Sequence, residues 1–246
     1  MRRFFLPPQN ISGNTAYFDG GEARHIHAVL RLRTGTEIEI FDGSGKLYHA
    51  RLKEISAKKV LAEILQTFEN KEPDQPELFL AMAMLKGKKM DLVIQKATEL
   101  GVHTLQPLIT RYCERKEQDG GQAQRRLRII LESCKQCGRV SPMHLAPAMK
   151  FNDFRPPVDA YKIMPYEQEK SSPFPTTLPT NTRKACLLIG PEGGFHPSEV
   201  ELAKQSGFLT VSLGPLILRA ETAAISSVAL TMHLLGAFRP TSSAVR

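Results

Sequence analysis

The second half of the chain alternates apolar runs of strand length with segments of helical periodicity, and this alternation constrains the fold more than any other feature. The helical segments KKMDLVIQKATELG (88–101) and QAQRRLRIILESCKQCG (122–138) separate strand-like runs, and the first ends on Gly101, a typical helix C-cap. This order predicts an α/β domain whose parallel sheet is covered on both faces. The strand-like runs are LFLAMAML (78–85), HTLQPLIT (103–110), YKIMPY (161–166), KACLLIG (184–190) and TVSLG (210–214).

The first seventy residues have a different pattern, that of short strands and turns. EIEIFDGSGKLYHARLKEI (37–55) alternates apolar and polar residues around Asp42-Gly43-Ser44-Gly45, which predicts a β-hairpin. KKVLAEILQTF (58–68) continues as a strand, and EARHIHAVLRLRTG (22–35) indicates a short basic helix or turn. These elements predict a small β-barrel. The charged, proline-containing KEPDQPE (71–77) is the expected boundary, which gives domains at 1–72 and 73–246.

The chain is basic, with 33 Lys and Arg against 25 Asp and Glu and a formal net charge of +8. A surplus of this size favours a polyanionic partner, nucleic acid before an acidic membrane. The expected RNA contacts are the arginines of the first domain and of the RRLR cluster, although a plain solvated face explains the cluster almost as well. They are Arg2, Arg3, Arg24, Arg31, Arg33, Arg125, Arg126 and Arg128. No apolar stretch is long enough for a transmembrane helix or signal peptide, so a cytoplasmic location is expected.

Neither the cysteines nor the histidines form a convincing metal site. Cys134-x-x-Cys137 lies in a helical stretch without a second pair of ligands, and Cys113 and Cys186 are isolated, so we interpret all four as ordinary thiols. His25-x-His27 has no nearby Cys, Asp or Glu cluster, and a polar surface role is favoured. No metal is expected.

The stretch LLIGPEGGFHPSEV (187–200) places three glycines, a proline and one carboxylate after a buried strand. Ser198-x-x-Glu201 has the pattern of a capping box, which predicts a helix from about Ser198 to Gly207. The loop therefore lies at the carboxyl end of a parallel strand, where open α/β sheets bind their ligands. It lacks the lysine of a Walker A loop and the spacing of a Rossmann fingerprint, and Glu192 would repel a pyrophosphate. The glycines allow close approach of either a ligand or another chain segment, and the ligand must tolerate a carboxylate.

A second loop, LGPLILRAETA (213–223), follows GPEGGF (190–195) after about twenty residues. The pair resembles the C-terminal signature of the SPOUT methyltransferase superfamily, and more closely that of the RsmE family, which methylates N3 of a uridine in 16S ribosomal RNA. The resemblance spans the chain, because RRFF (2–5), HAVLRLRTG (27–35) and KGKKMDLVIQKATELGV (86–102) are also similar. Two positions differ from the family: Leu216 replaces a common arginine and Ala220 a common threonine.

The resemblance implies an α/β sheet with a deep C-terminal trefoil knot that binds S-adenosylmethionine, preceded by a PUA-like β-barrel associated with RNA binding. It also implies a homodimer with the active site near the subunit interface, acting on 16S ribosomal RNA within the small ribosomal subunit. Leu213, Ile217 and Leu218 would enclose the adenine. The implied cofactor residues are Met164, Pro165, Ile189, Gly190, Pro191, Glu192, Gly193, Gly194, Leu213, Gly214, Ile217, Leu218, Thr222 and Ala223.

Methylation of uracil N3 requires removal of its proton, and two residues of the second loop are the catalytic candidates. Arg219 would stabilise the uracil anion, and Glu221 would accept the proton or orient Arg219. A helix-start carboxylate stabilised by the macrodipole explains Glu221 equally well. Two alternatives to the proposed activity stay open: a SPOUT methyltransferase acting on a ribose 2′-hydroxyl or on transfer RNA, and a non-catalytic RNA-binding assembly factor.

Overall fold

The computed structural model describes residues 1–69, 75–113 and 120–239. By internal contacts the chain divides into two units, Met1–Pro73 with Leu131–Pro142, and Asp74–Ile130 with Met143–Arg246. The expected boundary between residues 72 and 73 lies outside the described residues. The segment Leu131–Pro142 was not expected in the first unit, because it is distant in sequence from Met1–Pro73.

The first unit contains a six-stranded sheet in the order β1-β4-β5-β6-β3-β2. Its neighbours are antiparallel except for β1 and β4, which are parallel. The predicted basic helix or turn is confirmed as α1, Gly20–Arg24, which continues into a π-helical turn, His25–Val29. The strands are β1 Arg2–Phe5, β2 Ile11–Ser12, β3 Thr15–Asp19, β4 Glu37–Phe41, β5 Lys46–Ile55 and β6 Lys59–Glu69.

The predicted hairpin joins β4 to β5, and a buried carboxylate holds its turn. Asp42 Oδ1 accepts hydrogen bonds from the backbone N–H of Ser44 at 2.8 Å and from its hydroxyl at 2.7 Å. The hydroxyl of Tyr48, on β5, donates to Asp42 Oδ2 at 2.9 Å. Burial raises the pKa of Asp42, but these hydrogen bonds outweigh it, so the pKa lies below its ordinary value. Gly43 and Gly45 have positive φ angles of 83° and 95°, which glycine adopts without strain.

The second unit contains a parallel sheet, as the strand-helix alternation predicted. Its strands lie in the order β10-β8-β7-β12-β11-β13, and β9 pairs beside β8. Every described pairing in it is parallel. The strands are β7 Glu77–Ala83, β8 Thr104–Ile109, β9 His144–Leu145, β10 Met149–Lys150, β11 Tyr161–Pro165, β12 Lys184–Ile189 and β13 Leu209–Val211.

Helices cover both faces of this sheet, which explains why its central strand β12 is apolar and buried from Ala185 to Ile189. Cys186 and Leu188 of β12 form a core with Val200 and Ala203 of a helix on one face. Leu187, between them on the strand, is equally buried on the opposite side. On that side the helix Ala220–Leu234 packs against β7, β12 and the helix Lys88–Glu99. In chain order the helices are α2 Lys88–Glu99, α3 Gly120–Cys137, α4 Pro197–Gln205 and α5 Ala220–Leu234.

The cysteines are free thiols at separate places in the structure. Cys134 is buried and Cys137 exposed on helix α3, and burial raises the pKa of Cys186 to about 12, so this thiol stays protonated. In the described parts of the chain, no group of three His, Cys, Asp or Glu side chains is placed to hold a metal ion. Within the same residues, no helix combines the length and apolar character needed to cross a membrane.

Candidate active site

A cleft of about 750 Å³ lies at the carboxyl ends of β11, β12 and β13, a volume typical of small-molecule sites. Three loops form its walls: residues 165–167 after β11, residues 189–194 at the end of β12, and residues 212–220 after β13. Lys89 of α2 and Ala223 of α5 complete the lining. The two loops singled out from the sequence therefore meet in one cleft, at the edge of the sheet where α/β proteins bind their ligands.

A second hollow, of about 550 Å³, lies between residues 158–161 and 180–184. These residues lie at the amino ends of β11 and β12. Ligand sites of open α/β sheets lie at the opposite, carboxyl edge, so this hollow is not the candidate site.

The glycines of the GPEGGF loop are required because other chain segments pass close to them. A Cβ added to Gly194 would lie 2.7 Å from Oε1 of Glu167, and the φ angle of Gly194 is +72°. A Cβ on Gly193 would lie 3.2 Å from Cβ of Tyr112, and one on Gly190 would lie 3.0 Å from the ring of Phe195. A side chain at Gly190 or Gly193 would therefore require Phe195 or Tyr112 to shift, and at Gly194 the left-handed backbone angle itself favours glycine.

The carboxylate of Glu199, on α4, holds the end of the GPEGGF loop in place. Its carboxylate accepts hydrogen bonds from the backbone N–H of His196 at 2.9 Å and of Arg111 at 2.8 Å, so it joins the loop to the segment after β8. Glu199 also forms the capping box of α4 together with His196, the N-cap. The capping box predicted from Ser198 and Glu201 was therefore wrong. A histidine ring nitrogen replaces the usual hydroxyl as the acceptor, and the sequence rule does not anticipate it.

The carboxylate of Glu192 is neutralised by the protein. Glu192 Oε1 accepts hydrogen bonds from Nζ of Lys89 at 3.0 Å and from the backbone N–H of Lys86 at 3.3 Å. Burial raises the pKa of Glu192, but the bonds from Lys89 and the backbone outweigh it and hold the pKa below its usual range. Glu192 therefore anchors the loop to the start of α2, and the negative charge that the sequence suggested there is already balanced.

The loop after β13 is also held by backbone pairing. Ser212 donates its N–H to the carbonyl of Ser172 at 2.7 Å and accepts from the N–H of Phe174 at 3.0 Å. Beyond this point the side chains of Leu216 and Ile217 are 77% and 87% exposed. Apolar side chains this exposed at a cleft are suited to contact an apolar ligand surface.

Most of the predicted cofactor residues line the cleft. Met164 is fully buried in β11 behind it, and Thr222 points elsewhere from the first turn of α5. The predicted residues found in the lining are Pro165, Ile189, Gly190, Pro191, Glu192, Gly193, Gly194, Leu213, Gly214, Ile217, Leu218 and Ala223.

Several lining residues were missed from the sequence. Tyr166 and Glu167 follow β11 directly, and the strand-end rule that identified the other two loops would have found them. Lys89 lies on the helix α2 and gave no such signal. The remaining unpredicted lining residues are Ser212 and Ala220, whereas Pro215 and Leu216 belong to the second predicted loop, Leu213–Leu218.

The two catalytic candidates occupy different places. Arg219 is the N-cap residue of α5, lines the cleft and is exposed, and its guanidinium has no hydrogen-bond or ion-pair partner among the described residues. Glu221 lies in the first turn of α5 outside the lining, and its buried Oε2 has no hydrogen-bond partner in the described structure.

The predicted RNA-contacting arginines divide into exposed and engaged groups. Arg126 is 5% exposed, so its assignment as a surface phosphate contact is corrected, and burial lowers its pKa. Arg3 forms an ion pair with Glu39 at 2.7 Å, and Arg125 pairs with Asp91, so neither offers a free charge. The exposed arginines without a described partner are Arg2, Arg24, Arg31, Arg33 and Arg128.

Two family models match the chain, one in each part of the sequence. Residues 71–232 match the family described as RNA methyltransferase domain, and residues 18–65 match the RNA methyltransferase PUA domain. The class of protein is therefore that of the RNA methyltransferases that carry a PUA domain.

Individual relatives place the chain more narrowly. The ribosomal RNA small subunit methyltransferase E of Bacillus subtilis is 32% identical, with 96% of this chain and 98% of the relative covered. That of Buchnera aphidicola subsp. Schizaphis graminum is 32% identical, with 93% and 92% covered. The crystal structure of the Neisseria gonorrhoeae enzyme of this name, bound to S-adenosyl methionine, is 30% identical and has a TM-score of 0.85, with 95% of this chain and 98% of that chain covered. The chain belongs to the family of the ribosomal RNA small subunit methyltransferases E.

Proposed function

We propose that this protein transfers the methyl group of S-adenosylmethionine to N3 of a uridine in 16S ribosomal RNA. The observation that carries the proposal is the cleft at the strand ends, formed by the two loops whose sequences resemble this family and found in a chain that belongs to it. An RNA substrate supports a cytoplasmic site of action.

The residues of the cleft fit the cofactor. Its volume of about 750 Å³ accommodates a molecule of this size, and its backbone-lined wall at Gly190–Gly194 admits a flat ring at close range. Leu213, Ile217 and Leu218 supply the apolar contacts for the adenine. Met164 supports this wall from the sheet without touching the cleft.

When bound, S-adenosylmethionine supplies an activated methyl group on a sulfonium centre. The protein's task is to make uracil N3 nucleophilic, because N3 carries a proton until it is removed. Arg219 lines the cleft and its guanidinium has no partner in the described parts of the chain, so it is available to stabilise the negative charge on the uracil oxygens. Glu221 lies outside the cleft lining in the first turn of α5, two residues after Arg219 in sequence, so we assign it to orienting the start of this helix, and the N3 proton passes to solvent.

We propose that the first domain, residues 1–72, is a PUA-like barrel that binds RNA. The match of residues 18–65 to the RNA methyltransferase PUA domain supports this. The exposed side chains of Arg24, Arg31 and Arg33 supply phosphate contacts. The substrate RNA is proposed to lie within the small ribosomal subunit.

We also propose that the domain of residues 73–246 contains a deep trefoil knot. The long connection from β11 to β12, residues 166–183, pairs with Ser212 through the N–H and carbonyl groups of that residue. After Ser212 the chain continues beyond this connection into α5, and α5 packs against β7 and β12. That path is the one expected of a threaded chain.

Helix α5 supports a homodimer. One side of it packs on α2, β7 and β12, yet apolar residues also lie on its other sides, among them Leu230, which is 44% exposed, and Phe238, just after the helix, is 49% exposed. A helix that is apolar on all sides is stable when a partner covers the remaining surface. Because α5 begins at Arg219, a partner on this helix would lie close to the cleft.

Reverse transcription of 16S ribosomal RNA tests the substrate. A methyl on N3 blocks the Watson–Crick edge, so wild-type RNA should give a stop that is lost in cells without this gene and restored by the purified protein with S-adenosylmethionine. Identical stops in both strains would overturn the proposal. A lost 2′-O-methyl group instead would identify the ribose-methylating alternative, and loss of no modification would favour the assembly factor.

A further inference from the structure

Two charged residues of the cleft have no side-chain partner among the described residues. Of its four charged lining residues, Lys89 and Glu192 neutralise each other, which leaves Glu167 and Arg219. Neither of these two side chains forms a hydrogen bond or ion pair among the described residues. An unpaired carboxylate at the wall of a binding cleft is available to a cationic ligand group.

Glu167 is held in position by its neighbours rather than by its own side chain. The N–H of Tyr166 donates to the carbonyl of Val211 at 2.9 Å. The carboxylate of Glu169 accepts from the hydroxyl of Thr210 at 2.8 Å and from the N–H of Ser171 at 2.9 Å. The turn is thus tied to β13 on both sides of Glu167, and Oε1 of Glu167 lies 2.7 Å from the position that a Cβ on Gly194 would take.

We propose that Glu167 binds the α-ammonium group of the methionine part of S-adenosylmethionine; this inference rests on the proposed function. The cofactor carries two cationic centres, an ammonium and a sulfonium, and only the ammonium donates hydrogen bonds. A carboxylate beside the sulfonium would stabilise a charge that disappears during transfer, and would therefore slow the reaction. A carboxylate on the ammonium strengthens binding without this penalty.

Calorimetric titration of three ligands tests the proposal with Glu167→Gln, which keeps the shape of the side chain. Removal of a charged hydrogen-bond partner should weaken S-adenosylmethionine binding about tenfold or more. S-adenosylhomocysteine retains the ammonium but has a neutral sulfur, and it should lose affinity by the same factor. Methylthioadenosine lacks the amino-acid part, and its affinity should not change. Glu201→Gln, an exposed glutamate of α4 outside the cleft, is the matched control.

Each other result overturns a defined part of the argument. If Glu167→Gln binds S-adenosylmethionine as wild type does, or loses affinity for methylthioadenosine too, Glu167 does not bind the ammonium. Weaker binding of S-adenosylmethionine alone would place the carboxylate at the sulfonium. If the wild-type protein binds none of the three ligands, the proposed function itself fails, and the melting temperature of each variant separates these results from misfolding.

Discussion

At the scale of single residues, the site depends on positions where a side chain must be absent as much as on those where one acts. Gly193 and Gly194 of the GPEGGF loop face Tyr112 and Glu167 of other segments, and Gly190 faces Phe195 of the same loop, so contacts within the protein shape the loop before any ligand arrives. Glu192, the carboxylate that the sequence made conspicuous, serves this shape through Lys89. The charged lining residues without a side-chain partner among the described residues are instead Glu167 and Arg219.

Gly194→Val should abolish binding of S-adenosylmethionine. The new side chain would combine a left-handed backbone angle with occupation of the space now held by Oε1 of Glu167, so the loop or the Glu167 side chain would have to move. Gly35→Val is the matched control, because Gly35 has a φ angle of +88° but open space around it. Both variants should lose about 1–2 kcal/mol of stability. Calorimetry should show lost binding only for Gly194→Val, and normal affinity in that variant would remove this loop from the site.

Arg219→Ala should bind S-adenosylmethionine normally and methylate about 10²–10³-fold more slowly, the usual cost of losing one well-placed electrostatic donor. Arg219→Lys should recover part of the rate, since a point charge lacks the planar guanidinium. Single-turnover assays with separate binding measurements distinguish the two effects. Turnover within a few-fold of wild type in a stably folded Arg219→Ala variant would exclude the catalytic role.

The sequence predicted the two loops correctly but not the contacts that hold them. Glycine, proline and strand-end position are local signals, so Gly190–Gly194 and Leu213–Leu218 were found without a structure. The bond of Glu199 to Arg111 joins residues 88 positions apart, and no local rule contains such a pairing. The burial of Arg126 was missed for a related reason, since RRLR marks a basic cluster but not which of its members faces inward.

At the scale of elements, buried carboxylates hold turns and helix ends in both units. Asp42 closes the β4–β5 turn, and Glu199 joins the start of α4 to the chain after β8. In each case one side chain satisfies several donors at once. Loss of such a group leaves more than one donor without its partner.

Glu199→Gln should destabilise the protein by about 1–3 kcal/mol, since an amide presents one acceptor oxygen where the carboxylate bonds two backbone N–H groups. Glu201→Gln, two residues further along the same helix, has no described partner and should change stability by less than about 0.5 kcal/mol. Urea denaturation measures both. Equal midpoints for the two variants would show that Glu201, as the sequence pattern suggested, is as important as Glu199.

Asp42→Asn should destabilise the protein by about 1 kcal/mol at pH 7, with a smaller effect in acid. Because the folded pKa lies below the ordinary 3.8, the stabilisation by the carboxylate is present above that pH and is lost as pH falls through the folded pKa. Denaturation midpoints of wild type and variant should therefore converge between pH 4 and the lower folded pKa. The exposed Asp19→Asn serves as control, and a difference that is constant with pH would argue against the carboxylate's charge as the cause.

At the scale of the whole molecule, the first unit is built from two separate parts of the sequence. Within it, Lys135 of α3 forms ion pairs with Glu22 at 2.7 Å and Glu132 at 2.9 Å. A Cβ added to Gly43 would lie 3.6 Å from Cδ of Pro142, and one added to Gly138 would lie 3.1 Å from Nη1 of Arg3. The sequence predicted a single domain boundary, at KEPDQPE. Composition reveals a linker, but it does not reveal that Leu131–Pro142 packs with Met1–Pro73.

A fragment of residues 1–73 should therefore be less stable than the same residues in the full chain. It lacks Leu131–Pro142 and leaves the surface around Glu22 and Gly43 uncovered. We expect its melting temperature to be roughly 5–10 °C lower, which corresponds to about 1–2 kcal/mol for a unit of this size. Calorimetry of the fragment and the full chain makes the comparison, and equal melting temperatures would show that the returning segment contributes no stability.

The two-part construction also bears on how such a gene can change. A recombination event that exchanged only the first 73 codons would bring in a new partner for Lys135, Gly138 and Pro142, whose codons lie in the middle of the remaining gene. The imported half would meet a segment selected for another surface. Such an exchange would require matching changes in Leu131–Pro142 to keep the ion pair of Lys135 and the contacts at Gly138 and Pro142.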